Sequence, residues 1–331
     1  MANIAVLETR ARFGDLARSG AIARFTDVFN QAEQTYDGMA EVSKIFKVQK
    51  TSVSEIRDTG TAGLDLLKEI REGTSYPVDA NLVTYETDYS IQKLGVEVEV
   101  TEEAIDDTEY GADLDRFKHM AISAMRTKAK YAMNILNAGF SLTTQVNGFT
   151  VHRYGDAVRL FSTAHPRKDG GTSQSNASGT GITLTETNLE TARIALVQQL
   201  TDRGLPMEFL GRIALVVPDD LAKTATILAQ SDLRPSTANN DINFYKGILV
   251  DTLVSKWLNA TGSNGSTTRW FLIDQNFTQL KLYVKQEPQF FQDREPVTRS
   301  HIFGVSLRAA AGHSDWRGTW ASAGDGVSYS N

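Results

Sequence analysis

The side chains best equipped for chemistry in this 331-residue chain are five histidines, at positions 119, 152, 165, 301 and 313, and a crowd of acids between Glu102 and Asp115. His313, Ser314 and Asp315 are consecutive and together hold the functional groups of a hydrolytic triad. Consecutive residues diverge, however, whereas a triad needs nucleophile, base and orienting acid to face one another. His165, in STAHPRK, could ligate a metal or act as a base; a loop histidine paired with backbone is the plainer expectation. Glu102, Glu103, Asp106 and Asp107 could pass for paired carboxylates. Yet neighbours on a helix point about 100° apart, and acids gather at helix starts because the helix dipole favours them there. Cysteine is absent, which removes thiolate catalysis, disulfides and Cys-based metal sites together. There is no G-x-x-x-x-G-K-[ST] phosphate loop, no strand–G-x-G-x-x-G–helix unit, no H-E-x-x-H pair and no G-x-S-x-G elbow. No catalytic, cofactor-binding or metal-ligating residue is expected, nor a cofactor, nor an enzyme.

Composition points the same way. At 41% hydrophobic and 22% charged residues the chain is an ordinary globular sequence, and its length suits one large core or two modest ones. A net charge of −6 argues against a surface that grips nucleic acid, though not against a protein that encloses nucleic acid without sticking to it. The basic residues lack the aromatic interleaving of a single-strand binder; Trp257, Trp270, Trp316 and Trp320 are expected to anchor cores and interfaces. Apolar runs such as Ile213 to Val217 are far short of a membrane span, and the N-terminal MANIAVLETRARFGD shows no signal-like core. A soluble product made in a reducing cytoplasm is expected. The Asn-x-Ser/Thr matches beginning at Asn176, Asn259, Asn264 and Asn276 carry no weight without a secretory route.

The elements that would position any site follow from periodicity. Residues 1–43 suggest a helical arm whose sparse apolar face (Leu16, Phe25, Val28, Phe29, Ala32) must lie on something else, another subunit among the options. Between 44 and 95 come two strand-like segments. KIFKVQKTSVSEIRD alternates through Phe46 and Val48, and VTYETDYSIQK alternates through Val83, Tyr85, Thr87, Tyr89 and Ile91. A short helix, LDLLKEIREG, is expected between them. A ribbon this long is marginal alone in water: either it is the edge hairpin of a larger sheet, or it leaves its own domain and a neighbour stabilises it.

GVEVEVTEE, with Val96, Val98 and Val100 on one face, then leads into a long helix over about 113–138. Its stripe is Phe117, Ala121, Ala124, Ala132 and Ile135, and Gly139 is a natural residue to end it. DGGTSQSNASGTG reads as a wet, mobile loop. From 182 to 279, helices alternate with buried strands, the pattern of a small α/β unit inserted into the first. Thr185 caps a helix striped by Leu189, Ala192, Ala195, Leu196 and Leu200; RIALVV, GILVDTLV and RWFLID are strands. Residues 280–331 return as long strands to the sheet beside the long helix.

This order resembles the major capsid proteins of tailed bacteriophages, and is similar most of all to the Mu-type major head subunit family. YSIQKLGVEVEVTEEAIDDTEYG before the long helix carries the likeness. So do NAGF followed by RLFSTAHP and a Gly/Ser/Asn-rich loop, and LTETNLETARIALVQQLTDRGLPM with RIALVVPDDLAKTATILAQS. The likeness covers about residues 40 to 320. It implies an α+β fold of the HK-ninety-seven type: an N-terminal arm (1–43), an E-loop hairpin (44–95), a P-domain with the spine helix (96–181), an A-domain insertion (182–279), and a return to the P-domain sheet (280–331). It also implies a structural subunit of an icosahedral shell of hexamers and pentamers around double-stranded DNA, located in the virion. Its implied partners are a portal, a scaffolding protein, and in some relatives a maturation protease or decoration protein, with no membrane. One departure is that the family's hairpin often has a Trp-rich tip, where this chain has GTAGLDLLKEIREG. An encapsulin-like compartment shell sharing the fold, and a hydrolase using His165 or the 313–315 cluster, are the competing expectations.

Overall fold

In a computed structural model of the chain, residues 39–326 are described, apart from 81, 102, 104–110, 208–211, 234–240, 260–264, 296, 298, 299 and 325, together with Asp27 and Gln31. The expected arm therefore lies almost wholly outside the described residues, as do Glu102, Asp106 and Asp107. The helices are α1 (Ala40–Ile45), α2 (Gly111–Ala138), α3 (Glu186–Val197) and α4 (Ala222–Gln230). The strands are β1 (Lys47–Lys50), β2 (Glu55–Thr61), β3 (Val83–Ser90), β4 (Gln92–Val100), β5 (Gln145–Val146), β6 (Phe149–His152), β7 (Ile213–Val217), β8 (Leu249–Val254), β9 (Trp270–Asp274), β10 (Leu280–Arg294), β11 (His301–His313) and β12 (Thr319–Ser322). They form a six-stranded sheet ordered β1-β10-β11-β6-β5 with β4 also on β11, a four-stranded sheet ordered β12-β9-β7-β8, and the two-stranded ribbon β2–β3.

The chain divides into two compact units, to both of which α2, β10 and β11 contribute. In the first, β4 runs antiparallel to β11, with Val100 opposite His301 and Gln92 opposite Ala309. The alternating valines work as the pattern requires. Val98 and Val100 join Phe303 and Val305 under the stripe of α2 formed by Phe117, Met120, Ala121 and Ala124, although Val96 stays 46% exposed. The rings of Phe117 and Phe303 meet edge to face at 4.9 Å.

The second unit contains the α/β segment. β7 is apolar throughout and buried throughout, because it lies between parallel β8 and antiparallel β9 with helices packed on it. Leu189, Ala192 and Leu196 of α3 and Ala225, Leu228 and Ala229 of α4 close a core that includes Trp270 and Trp320. The Thr185 hydroxyl accepts the Asn188 N–H at the start of α3, an N-cap that satisfies an otherwise orphaned donor.

Four expectations are corrected. LDLLKEIREG is not helical: its leucines find little to pack on among the described residues, with Leu67 fully exposed, and an isolated stretch this short cannot hold a helix by propensity. The Gly/Ser/Asn loop is not wet throughout, since Asn176 and Ala177 are buried and Ala177 bridges to Ala321 beside β12. Residues 280–313 do enter the sheet with β4, but β12 pairs with β9 of the four-stranded sheet. Finally, α2 does end before Gly139 as expected, but Gly139 is not in the left-handed region; a Cβ there would lie 2.4 Å from the ring of Phe161.

Candidate functional site: an assembly surface

The groups that could do chemistry are dispersed. His313 is buried, its Nδ1 without a hydrogen-bond partner. Burial pushes its pKa down to about 3, with nearby Arg153 and His165 acting in the same direction. Its neighbours turn elsewhere: the Ser314 hydroxyl meets the Tyr89 hydroxyl at 2.7 Å and donates to Asp58, while Asp315 accepts from Arg317 at 3.1 Å. The 313–315 trio is therefore three separate structural contacts. His165 does not rest on backbone through its ring as expected. Its Nδ1 lies 2.8 Å from Asp156 and its Nε2 3.1 Å from the Asn176 side-chain oxygen, and its ring stacks on Trp316 at 4.3 Å.

Asn176 is the hub that hydropathy concealed. It accepts the Ser162 N–H at 2.9 Å and donates to the Leu160 carbonyl at 2.7 Å, and its own carbonyl takes the Ala321 N–H at 3.0 Å. A polar residue this buried is tolerated because every bond is made. Both nitrogens of His165 are engaged in the interior, so neither reaches a substrate. Among the described residues no cluster of His, Asp or Glu could hold a metal, and no helix is long and apolar enough to cross a membrane. His119 and Glu103 are simply exposed.

The feature that does stand out is the ribbon. Its register pairs Ile56 with Tyr89 and Asp58 with Thr87, so these four share one face. Thr87 and Tyr89 are 1% exposed. Tyr89 packs edge-on against Tyr283 at 4.9 Å, and the Thr87 hydroxyl donates to the His313 carbonyl. The opposite face carries Arg57, bonded across the strands to Asp88 at 2.8 Å.

Two glycines let the ribbon seat this closely. A Cβ on Gly155 would lie 2.4 Å from the Glu86 carbonyl, and one on Gly312 would meet the Tyr89 ring. Asp58 lies between Lys281 and Ser314, both bonded to its Oδ2. Partial burial would raise its pKa, but these hydrogen bonds outweigh that and hold the carboxyl below its usual range.

Beyond Thr61 and Val83 the ladder stops, and residues 62–80 and 82 run without regular structure. Here the apolar side chains point out: Leu64 is 73% exposed, Leu66 70%, Leu67 102%, Tyr76 82% and Val78 96%. Clustered exposed apolar residues of this kind mark a surface made to be covered. The alternation of β3 disclosed the ribbon. The tip's destination was hidden, since LDLLKEIREG is also a good helix pattern.

No curated protein matches the chain by sequence. The fold is similar to that of the capsid of an empty GTA particle, at a TM-score of 0.55 and 12% identity over 86% of this chain and 89% of that one. It is also similar to the capsid of Myoviridae phage XM1, at a TM-score of 0.51 and 12% identity over 86% and 90%. This is the tailed-phage major capsid fold. The family model for phage capsid proteins matches residues 84–322, so the chain belongs to the phage capsid protein family and is a structural subunit of the virion, a major capsid protein.

Proposed function

We propose that the subunit builds the closed icosahedral head of a Mu-type tailed phage, in hexameric and pentameric rings, and that the ribbon reaches onto a neighbouring copy. The observation that carries this reading is the tip beyond the neck, whose five most exposed apolar side chains have no cover among the described residues. Burying one such residue contributes about 1.5–3 kcal/mol. Two or three per contact, repeated around a closed symmetric shell, give a stability that no single interface has. In this reading residues 1–43 are the arm, 44–95 the E-loop, 96–181 and 280–313 the P-domain, and 182–279 the A-domain, which β12 joins through β9. The charge of −6 suits a wall that holds double-stranded DNA without gripping it. Assembly in the host cytoplasm with a portal and a scaffolding protein follows from the family resemblance, which in some relatives adds a maturation protease or a decoration protein.

The test replaces residues 64–78 with a short Gly-Ser turn and follows sedimentation. The expected product is a folded chain that forms no shells; shells at wild-type yield would overturn the reading.

A further inference from the structure

One contact is unaccounted for by the ribbon's own ladder. At the neck, where Thr61 faces Val83 and the Ala62 N–H donates to the Leu82 carbonyl at 2.9 Å, the guanidinium of Arg203 bonds both legs of the tip. Its Nε donates to the Gly63 carbonyl at 2.9 Å on one leg. On the other, Nη1 donates to the Asp79 carboxylate at 3.0 Å and Nη2 to the Ala80 carbonyl at 2.5 Å. Asp79 also receives the Asp65 N–H at 2.9 Å, which ties the two legs once more. A planar fork with fixed donors spread over three nitrogens suits this triple contact, whereas the donors of a lysine radiate from a single nitrogen and match the spacing of the three acceptors less well.

The support of Arg203 is unusually firm. It sits in a turn closed by Thr201, whose carbonyl takes the Gly204 N–H and whose hydroxyl takes the Arg203 and Leu205 N–H groups. Gly204 is left-handed at φ 75°, a position that favours glycine. The preceding Asp202 is 2% exposed and bonds the buried Arg317 at 3.0 Å and the Lys168 N–H at 3.1 Å. A chain of contacts thus runs from the buried Arg317 through Asp202 and the 201–205 turn to the neck of an otherwise irregular loop.

We propose that Arg203 is a positioning residue for assembly: it fixes the spacing of the two legs and the direction of the tip, so that the apolar side chains are pre-organised before a second copy arrives. Pre-organisation lowers the ordering cost of docking. The inference rests on the reading that the tip docks on a neighbour, and the experiment separates the two.

Full-length chains carrying Arg203→Ala, Arg203→Lys or Asp79→Asn are compared with wild type at concentrations below shell formation. Trypsin cleavage at Lys68 and Arg71 reports opening of the tip, and thermal unfolding reports the fold. Arg203→Ala is expected to speed tip cleavage about tenfold, the scale of losing charge-assisted hydrogen bonds, and to slow shell formation while the melting temperature holds. Arg203→Lys is expected to fall between, and Asp79→Asn to behave as a weaker Arg203→Ala. Cleavage and assembly at wild-type rates in Arg203→Ala would overturn the proposal, as would a lowered melting temperature that accounts for both defects. If the tip-replaced chain makes normal shells, the docking reading fails whatever Arg203 does. If that chain makes none and Arg203→Ala assembles normally, the positioning role alone fails.

Discussion

The four-stranded sheet and the ribbon are both β-structure, yet they are stabilised in opposite ways. In the sheet, β7 and β9 are buried at every residue, and α3 and α4 supply the apolar cover from the same chain. In the ribbon, only Thr87 and Tyr89 on β3 are buried, and past the neck the apolar side chains face outward. The first region is completed by its own sequence. The second has a finished base and an unfinished end, and that difference is what a subunit of a shell requires: a body that folds before assembly and a surface that becomes stable only on assembly.

The comparison can be broken from either side. The largest effect on folding is expected in the sheet. Trp270→Ala removes a fully buried ring and the indole bond to the Ile182 carbonyl at 2.9 Å, and should lower the unfolding free energy by about 3–5 kcal/mol, read by denaturant titration. The next effect is a pH dependence at the ribbon's base. The folded chain holds His313 neutral down to about pH 3, while the unfolded chain protonates it near its ordinary value of about 6.5. Between those limits the unfolded state binds more protons, so stability falls as pH is lowered, by up to about 1.4 kcal/mol per unit. His313→Leu should flatten that slope in stability measured from pH 7 to 4.

Thr185→Ala, which removes the cap of α3, should cost about 1 kcal/mol by the same titration. Smallest of all for folding is the tip. Changing Leu64, Leu66, Leu67 and Val78 together to Ser should leave the unfolding free energy within about 0.5 kcal/mol, yet abolish shells in negative-stain micrographs. A large loss of stability there would mean that the tip is covered by its own chain and that the two regions do not differ as described.

What the sequence disclosed follows the same division. RIALVV, RWFLID and the stripe of α3 through Leu189, Ala192 and Leu196 were legible because burial by the chain's own elements leaves apolar runs and helical spacing behind, although Leu200, expected on the same stripe, lies past the end of the helix. The alternation of Tyr85, Thr87 and Tyr89 was legible because one face of β3 rests on the body. LDLLKEIREG misled because its pattern also fits an amphipathic helix, and periodicity does not say whether a partner lies in the same chain. Asn176 and Arg203 were invisible for another reason: each holds its place by hydrogen bonds to residues distant in sequence, which leave no mark on local composition. The histidines drew attention as potential catalysts, and the structure shows His165 and His313 spent inside the protein instead.

The central claim, that the tip is completed by another copy, can be tested at a single residue. Leu67 is fully exposed, so a photo-crosslinking side chain placed there reports what covers it. In assembled shells the crosslink should join one subunit to another, giving covalent multimers, and the dissociated chain should give none. A crosslink that forms within one subunit, equally in shells and in dissociated chains, would contradict the account.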